Sequence, residues 1–229
     1  KSDDDSIYWN IYLGGGDSNR LYFSYTGDEN KGGYIANNTD VGVIDFTGQH
    51  KSVFQNNEVI DTDKETIGKI VIASGEYKNV SSGSESDITI NEALPIVKFS
   101  NKEYDKRVWG VLSDKEEVDE NGNHTYSHGS FVSVIEKVDK SENRYAINSL
   151  GEGGIWVCNE GGNLENGDYI TTSNIEGLGM KQNDDLLHNY TVAKITQDCD
   201  FQDSKKYIEF EHSGSLYRKQ FVGCTYHCG

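Results

Sequence analysis

Between Ser149 and Gln182 the chain reads "SLGEGGIWVCNEGGNLENGDYITTSNIEGLGMKQ", with eight glycines, no proline, and every apolar run cut short by Gly or Asn. Runs this short suit strands. An amphipathic helix needs apolar residues at i, i+3, i+4 and i+7 across roughly ten or more residues, and no such stretch occurs anywhere in the chain. "GIWVC" reads as a strand and "NEGGNLENGD" as a turn with positive-φ positions at Gly161/Gly162 and Gly167. "DYITTS" reads as the return strand, "NIEGLGMKQ" as another turn, and "YTVAKI" as the closing strand.

The same rhythm runs through the rest of the sequence. "IYWNIYL", the turn "GGGDSN" and "RLYFSYT" form a hairpin, which "GGYIA" and "VGVIDF" extend. "IGKIVIAS", "DITI", "PIVKFS", "RVWGVLS", "SFVSVIEKV", "RYAINSL", "YIEFE" and "RKQFVG" complete the strand set. A single helical turn is expected only near "NDDLLHNY". The polar segments 80–87 and 114–129 read as solvent-exposed loops, the second with "NG" as a hairpin tip. The predicted fold is all-β: a short-strand β meander over 1–55, rich in aromatics and joined by glycines, then a small β-barrel-like domain over 56–229, with little or no helix.

Composition adds a constraint on partners. Apolar residues make up 34% of the chain, below the globular norm, so the sequence predicts a thin core and burial against identical neighbours. The formal net charge of −17 argues against nucleic-acid backbones, which require clustered Lys and Arg, and against docking on anionic membranes. No run of apolar residues is long enough to predict a membrane-spanning helix. The start, "KSDDDSIYWN", lacks the apolar core of a signal peptide and reads as the cut edge of a longer chain.

Several residues invite chemistry. In "IDFTGQHKSVF", Asp45 and His50 suggest a proton-transfer pair, with Gly48 permitting a sharp turn between them; the alternative is that Gln49 and His50 bond a loop or a neighbouring subunit. "GCTYHCG" gathers Cys224, His227 and Cys228, a candidate metal set with Cys199 or Cys158, although reduced thiols or a Cys224–Cys228 disulfide compete with it. His124 and His128 have metal-pair spacing only on a helix, and they fall in an acidic loop. Nucleophile-elbow, phosphate-loop and zinc-helix motifs are absent, and no cofactor is implied. Sequons occur at Asn37, Asn79, Asn123 and Asn189. The first hairpin carries Tyr8, Trp9, Tyr12, Tyr22, Phe23 and Tyr25, which alternation distributes over both of its faces. Such a ribbon needs a second partner besides its own chain: a copy of itself, or a glycan stacked on Tyr8, Trp9, Tyr12 and Tyr22.

"FTGQH", "GKIVIASGEY", "INEALPIVKFSNKEYDKRVWGVLSD" and the glycine-rich stretch that follows resemble the C-terminal regions of virion proteins from large DNA viruses and marine phages, over most of residues 41–229. "VGCTYHCG" looks like the natural C-terminus of such proteins. The segment order is also similar to the intramolecular-chaperone autoproteolytic domains of phage neck-appendage and tail-fibre proteins. The resemblance implies a homotrimeric fibre, spike or appendage, exposed extracellularly on the virion. In such a protein the C-terminal part drives assembly and contacts other virion proteins or a host-surface receptor or glycan. Members that cut themselves use acidic residues or a Ser near the domain start, where "KSDDDS" offers Ser2, Asp3, Asp4 and Asp5. Structural assembly is the favoured function; the alternatives are self-cleavage through Asp45 and His50 and, from the aromatic hairpin, carbohydrate binding.

Overall fold

The structure is a computed structural model that describes residues 9–13, 20–25, 28–36, 48–78, 93–118, 124–125 and 143–228. Side chains are described over 48–78, 93–116 and 143–228. The chain divides into two compact units, one from residues 1–46 with 116–141 and one from 47–115 with 142–229. The strands in chain order begin with β1 (Trp9–Leu13), β2 (Arg20–Tyr25), β3 (Asp28–Ala36), β4 (Gly48–Phe54), β5 (Ile70–Lys78), β6 (Leu94–Phe99) and β7 (Val108–Lys115). They continue with β8 (Glu117–Val118), β9 (His124–Thr125), β10 (Arg144–Cys158), β11 (Tyr169–Thr172), β12 (Gly179–Lys181), β13 (Thr191–Ile195), β14 (Ile208–His212) and β15 (Ser215–His227). The fold is all-β, and among the described residues no helix is long and apolar enough to cross a membrane.

In the smaller unit β1, β2 and β3 form an antiparallel three-stranded sheet. The register aligns Tyr12 with Tyr22 and Tyr22 with Tyr34, a tyrosine row crossing all three strands. The adjoining register pairs set Ile11 opposite Phe23 and Leu13 opposite Leu21, with Leu21 opposite Ile35. Because successive residues alternate between faces, Tyr12, Tyr22 and Tyr34 share one face while Trp9, Ile11, Leu13, Leu21, Phe23 and Ile35 share the other. β8 and β9 pair antiparallel, Glu117 with Thr125 and Val118 with His124. The predicted strands "VGVIDF", "DITI" and "SFVSVIEKV", and most of loops 80–87 and 114–129, lie outside the described residues.

The larger unit holds one mixed sheet of ten strands. Its pairings trace two circuits that share β10: β10-β4-β6-β5-β7 and β10-β12-β11-β13-β15. The first half of β10 pairs with β4 and β7, and the second half with β15. Each circuit is barrel-like, with one thin parallel seam: Val157 against Gly179 between β10 and β12, and Val53–Phe54 against Ile96–Val97 between β4 and β6. Each circuit encloses a core. One is built on Ile155, Val157, Ile170, Val192, Ile195 and Val222. The other is built on Phe54, Val71, Val97, Leu112, Tyr145 and Ile147. β5 and β7 serve both cores, since Ile70 and Val111 belong to the first and Val71 and Leu112 to the second. Burial on both faces explains why "IVIA" and "WGVL" are continuous apolar runs with no polar alternation. The expected thin core does not describe this unit: Ile70, Val71, Ile72, Val97, Tyr145, Ile147, Ile155 and Ile170 are fully buried.

Four local expectations are corrected. "RYAINSL" and "GIWVC" are one strand, β10, whose pairing with β4 slips register between Asn148 and Leu150. Its glycines give room to aromatics: a Cβ on Gly154 would lie 2.2 Å from the Phe221 ring, a neighbour across the β10–β15 pair. Gly48 makes no sharp turn but opens β4, paired with Leu150. "NIEGLGMKQ" contains β12, three residues long. Residues 183–190 are not helical; among the described residues the single 3-10 turns lie at Gln55–Asn57 and Asn159–Gly161. Gly162 and Gly167 do adopt positive φ, 87° and 102°, whereas Gly161 lies within the second 3-10 turn.

Candidate interaction surface

β14 and β15 form a hairpin whose two-residue turn is Ser213–Gly214, with φ of 52° and 77°. Both central residues left-handed is the type I′ arrangement, which matches the natural twist of paired strands. His212 and Ser215 close the hairpin, followed by Glu211 with Leu216, Phe210 with Tyr217, Glu209 with Arg218 and Ile208 with Lys219.

One face of the hairpin is aromatic. Phe210 stacks on Tyr217 at 6.1 Å, and both pack against the buried cluster of Trp156, Cys158, Ile175, Leu178 and Met180. The Lys219 ammonium lies 5.0 Å from the Trp156 ring centre and 5.8 Å from that of Phe210, and it donates to Glu65 Oε2 at 2.8 Å. That hydrogen bond holds the Glu65 carboxyl below its usual range. Trp156 donates its indole N–H to the Ile67 carbonyl at 3.0 Å, which ties segment 55–69 to β10. Phe221 covers Trp156 at 5.3 Å yet stays 46% exposed. On the opposite face Arg218 lies 4.6 Å from the Tyr207 ring, donates to the Phe201 carbonyl at 2.6 Å and pairs with Glu209 at 3.3 Å. Ile208 and Leu216 are 46% and 64% exposed.

A second exposed apolar feature is the loop joining β12 to β13, which presents Leu186 and Leu187. The buried Gln182 amide shapes it. Its Nε2 donates to the Asp184 and Leu186 carbonyls at 3.1 and 2.6 Å, and its Oε1 accepts from the Thr191 hydroxyl at 2.7 Å. His188 meets the Asp184 carboxylate at 3.0 Å and stacks on Tyr190 at 4.6 Å. The Leu186 amide and then His188 hold the Asp184 carboxyl below its usual range.

Of the proton-transfer pair, Asp45 lies outside the described residues, as do Ser2, Asp3, Asp4, Asp5 and Tyr8. His50 sits in β4 opposite Ile147, with its ring 4.9 Å from that of Trp109, and burial lowers its pKa. Trp109 in turn donates to the Ser52 hydroxyl at 3.1 Å. The metal trio does not converge. Strand alternation puts Cys224 on the core face of β15 and His227 on the other, where its ring meets Tyr169 edge-on at 6.1 Å. Among the described residues no three His, Cys, Asp or Glu side chains come together to hold a metal, and all four cysteines are free. Of the aromatic set, Tyr12 and Tyr22 align, Trp9 belongs to the opposite face, and Tyr34 joins the row unforeseen. The hairpin edge was also missed, although "SG" between "YIEFEH" and "SLYRKQ" is the kind of two-residue turn that signals one. Comparison with protein-family models, with curated proteins and with solved structures finds no match.

Proposed function

We propose that this chain is a structural virion protein: the C-terminal, trimerising assembly part of a fibre, spike or appendage, which sets an acidic, loop-rich surface toward other virion proteins or a host receptor. The observation that carries this reading is the register of the three-stranded sheet. It assigns Trp9, Ile11, Leu13, Leu21, Phe23 and Ile35 to one face and the Tyr12–Tyr22–Tyr34 row to the other. A sheet with large apolar or aromatic residues on both faces is stable only with two covering layers. Copies of the same sheet around a closed symmetry axis supply one of them without leaving an open-ended surface. The net charge of −17 keeps such assemblies soluble and repels nucleic acid.

Light scattering on Tyr22→Ser and Phe23→Ser, one from each face, tests the reading. At least one variant should fall from trimer to protomer with its circular dichroism unchanged. Retention of the wild-type mass by both would count against assembly through this sheet. A second reading, glycan binding, is favoured by the tyrosine row itself, because a sugar ring stacks on aromatic faces. Glycan-array binding lost in Tyr22→Ser while the trimer persists would select it.

A further inference from the structure

Among the described residues β14 is the strand of the ten-stranded sheet that pairs with one neighbour alone, β15. The others each pair with two or more strands, though not along their whole length, since β4 meets β6 only at Val53–Phe54. The Ser213–Gly214 turn decides which backbone groups that edge offers. In a two-residue hairpin the closing pair, here His212 and Ser215, exchanges both of its hydrogen bonds, and the pairs alternate from there. His212, Phe210 and Ile208 therefore turn their N–H and C=O groups toward β15. Glu209 and Glu211 turn theirs outward.

We propose that this edge is a docking site for an extended peptide of alternating basic and apolar residues, which adds a further strand outside β14. The side chains define the sequence it accepts. Glu209 and Glu211 share one face, and the only cation opposite them, Arg218, is already engaged by Tyr207, Phe201 and Glu209. An incoming strand with Lys or Arg at every second position sets those cations beside the two carboxylates. Its intervening apolar residues lie on the face of Ile208 and Phe210, where Ile208 is 46% exposed. Charge also excludes the simplest other occupant, the same strand of a second copy. Antiparallel pairing of β14 with itself about Phe210 would set Glu209 against Glu211 twice, an arrangement of like charges that destabilises a sheet. The added strand gives main-chain hydrogen bonds for affinity and side-chain alternation for selectivity. The inference does not depend on the trimer.

The test uses the full 229-residue chain and two synthetic peptides, one alternating Lys and Val and one alternating Glu and Val, followed by fluorescence anisotropy at low salt and by amide hydrogen exchange. The Lys–Val peptide should bind, protect the Glu209 and Glu211 amides, and lose affinity as salt rises. Glu211→Lys should weaken it roughly tenfold or more. Glu211→Pro, which removes an outward N–H that β15 does not use, should abolish binding while leaving the thermal midpoint near wild type. If the proline variant does not fold, Glu211→Lys and the amide protection decide. Equal binding of the two peptides, unchanged affinity in Glu211→Lys, or Glu209 and Glu211 amides already protected in the free protein would each overturn the proposal.

Discussion

Asp105 shows how one buried side chain organises a turn. It is 5% exposed and accepts from the Arg107 backbone N–H, Nε and Nη2 at 3.0, 2.9 and 2.5 Å, while its own N–H donates to Thr172 Oγ1 at 2.8 Å. The Arg107 hydrogen bonds hold its carboxyl below the usual range. A carboxyl whose folded pKa is depressed binds its proton more readily in the unfolded chain. The stabilisation is thus complete above the unfolded value of about 3.9 and fades as pH falls through the lower folded value. Urea midpoints between neutral and strongly acidic pH should show Asp105→Asn less stable than wild type at neutrality, with the gap closing below about pH 4; a pH-independent gap would refute this assignment. The thiols make a second residue-scale case. Burial pushes Cys199, Cys224 and Cys228 up to about 12 and raises Cys158. Because the thiolate is the reactive form, iodoacetamide at mildly alkaline pH should label the folded protein slowly. It should label all four cysteines in denaturant without reductant, and fewer than four adducts by mass would mean a bridge.

At the scale of elements, the β14–β15 turn is a sharp test of local geometry. Gly214 at φ 77° has open space around a Cβ, so a substitution there meets backbone strain and no clash. Gly214→Val should cost about 1–3 kcal/mol in chemical denaturation, whereas Ser213→Asn should be neutral or slightly stabilising. Equal effects of the two would argue against the type I′ turn. Strand existence was legible from composition and run length for β1, β2, β3, β5, β6, β7, β11, β13, β14 and β15. β10 was legible only as two separate strands, because Gly151, Gly153 and Gly154 read as breakers; at Gly154 the missing side chain instead makes room for the Phe221 ring beside Trp156. β12 is too short for any periodicity to register. Pairing was the least legible of all. Gln49 donates to Asn148 across 99 positions, and nothing local in either segment names the other. The same limit hid the edge of β14: its exposure is a property of which strands close the circuits, not of "IEFEH" itself.

At the scale of the whole molecule, the larger unit buries two cores of its own, so the case for self-association rests on the smaller one. Its three short strands carry aromatic or aliphatic residues at most registered positions, and their register assigns them to both faces. The proton-transfer pair and the metal trio have no comparable support: His50 is placed against Trp109, and His227 faces away from Cys224. The measurement that bears most directly on self-covering sheets is the native mass of the unmodified chain at micromolar concentration. The account predicts a species of three times the 25.6 kDa protomer mass. A protomer that remains single at that concentration would contradict it.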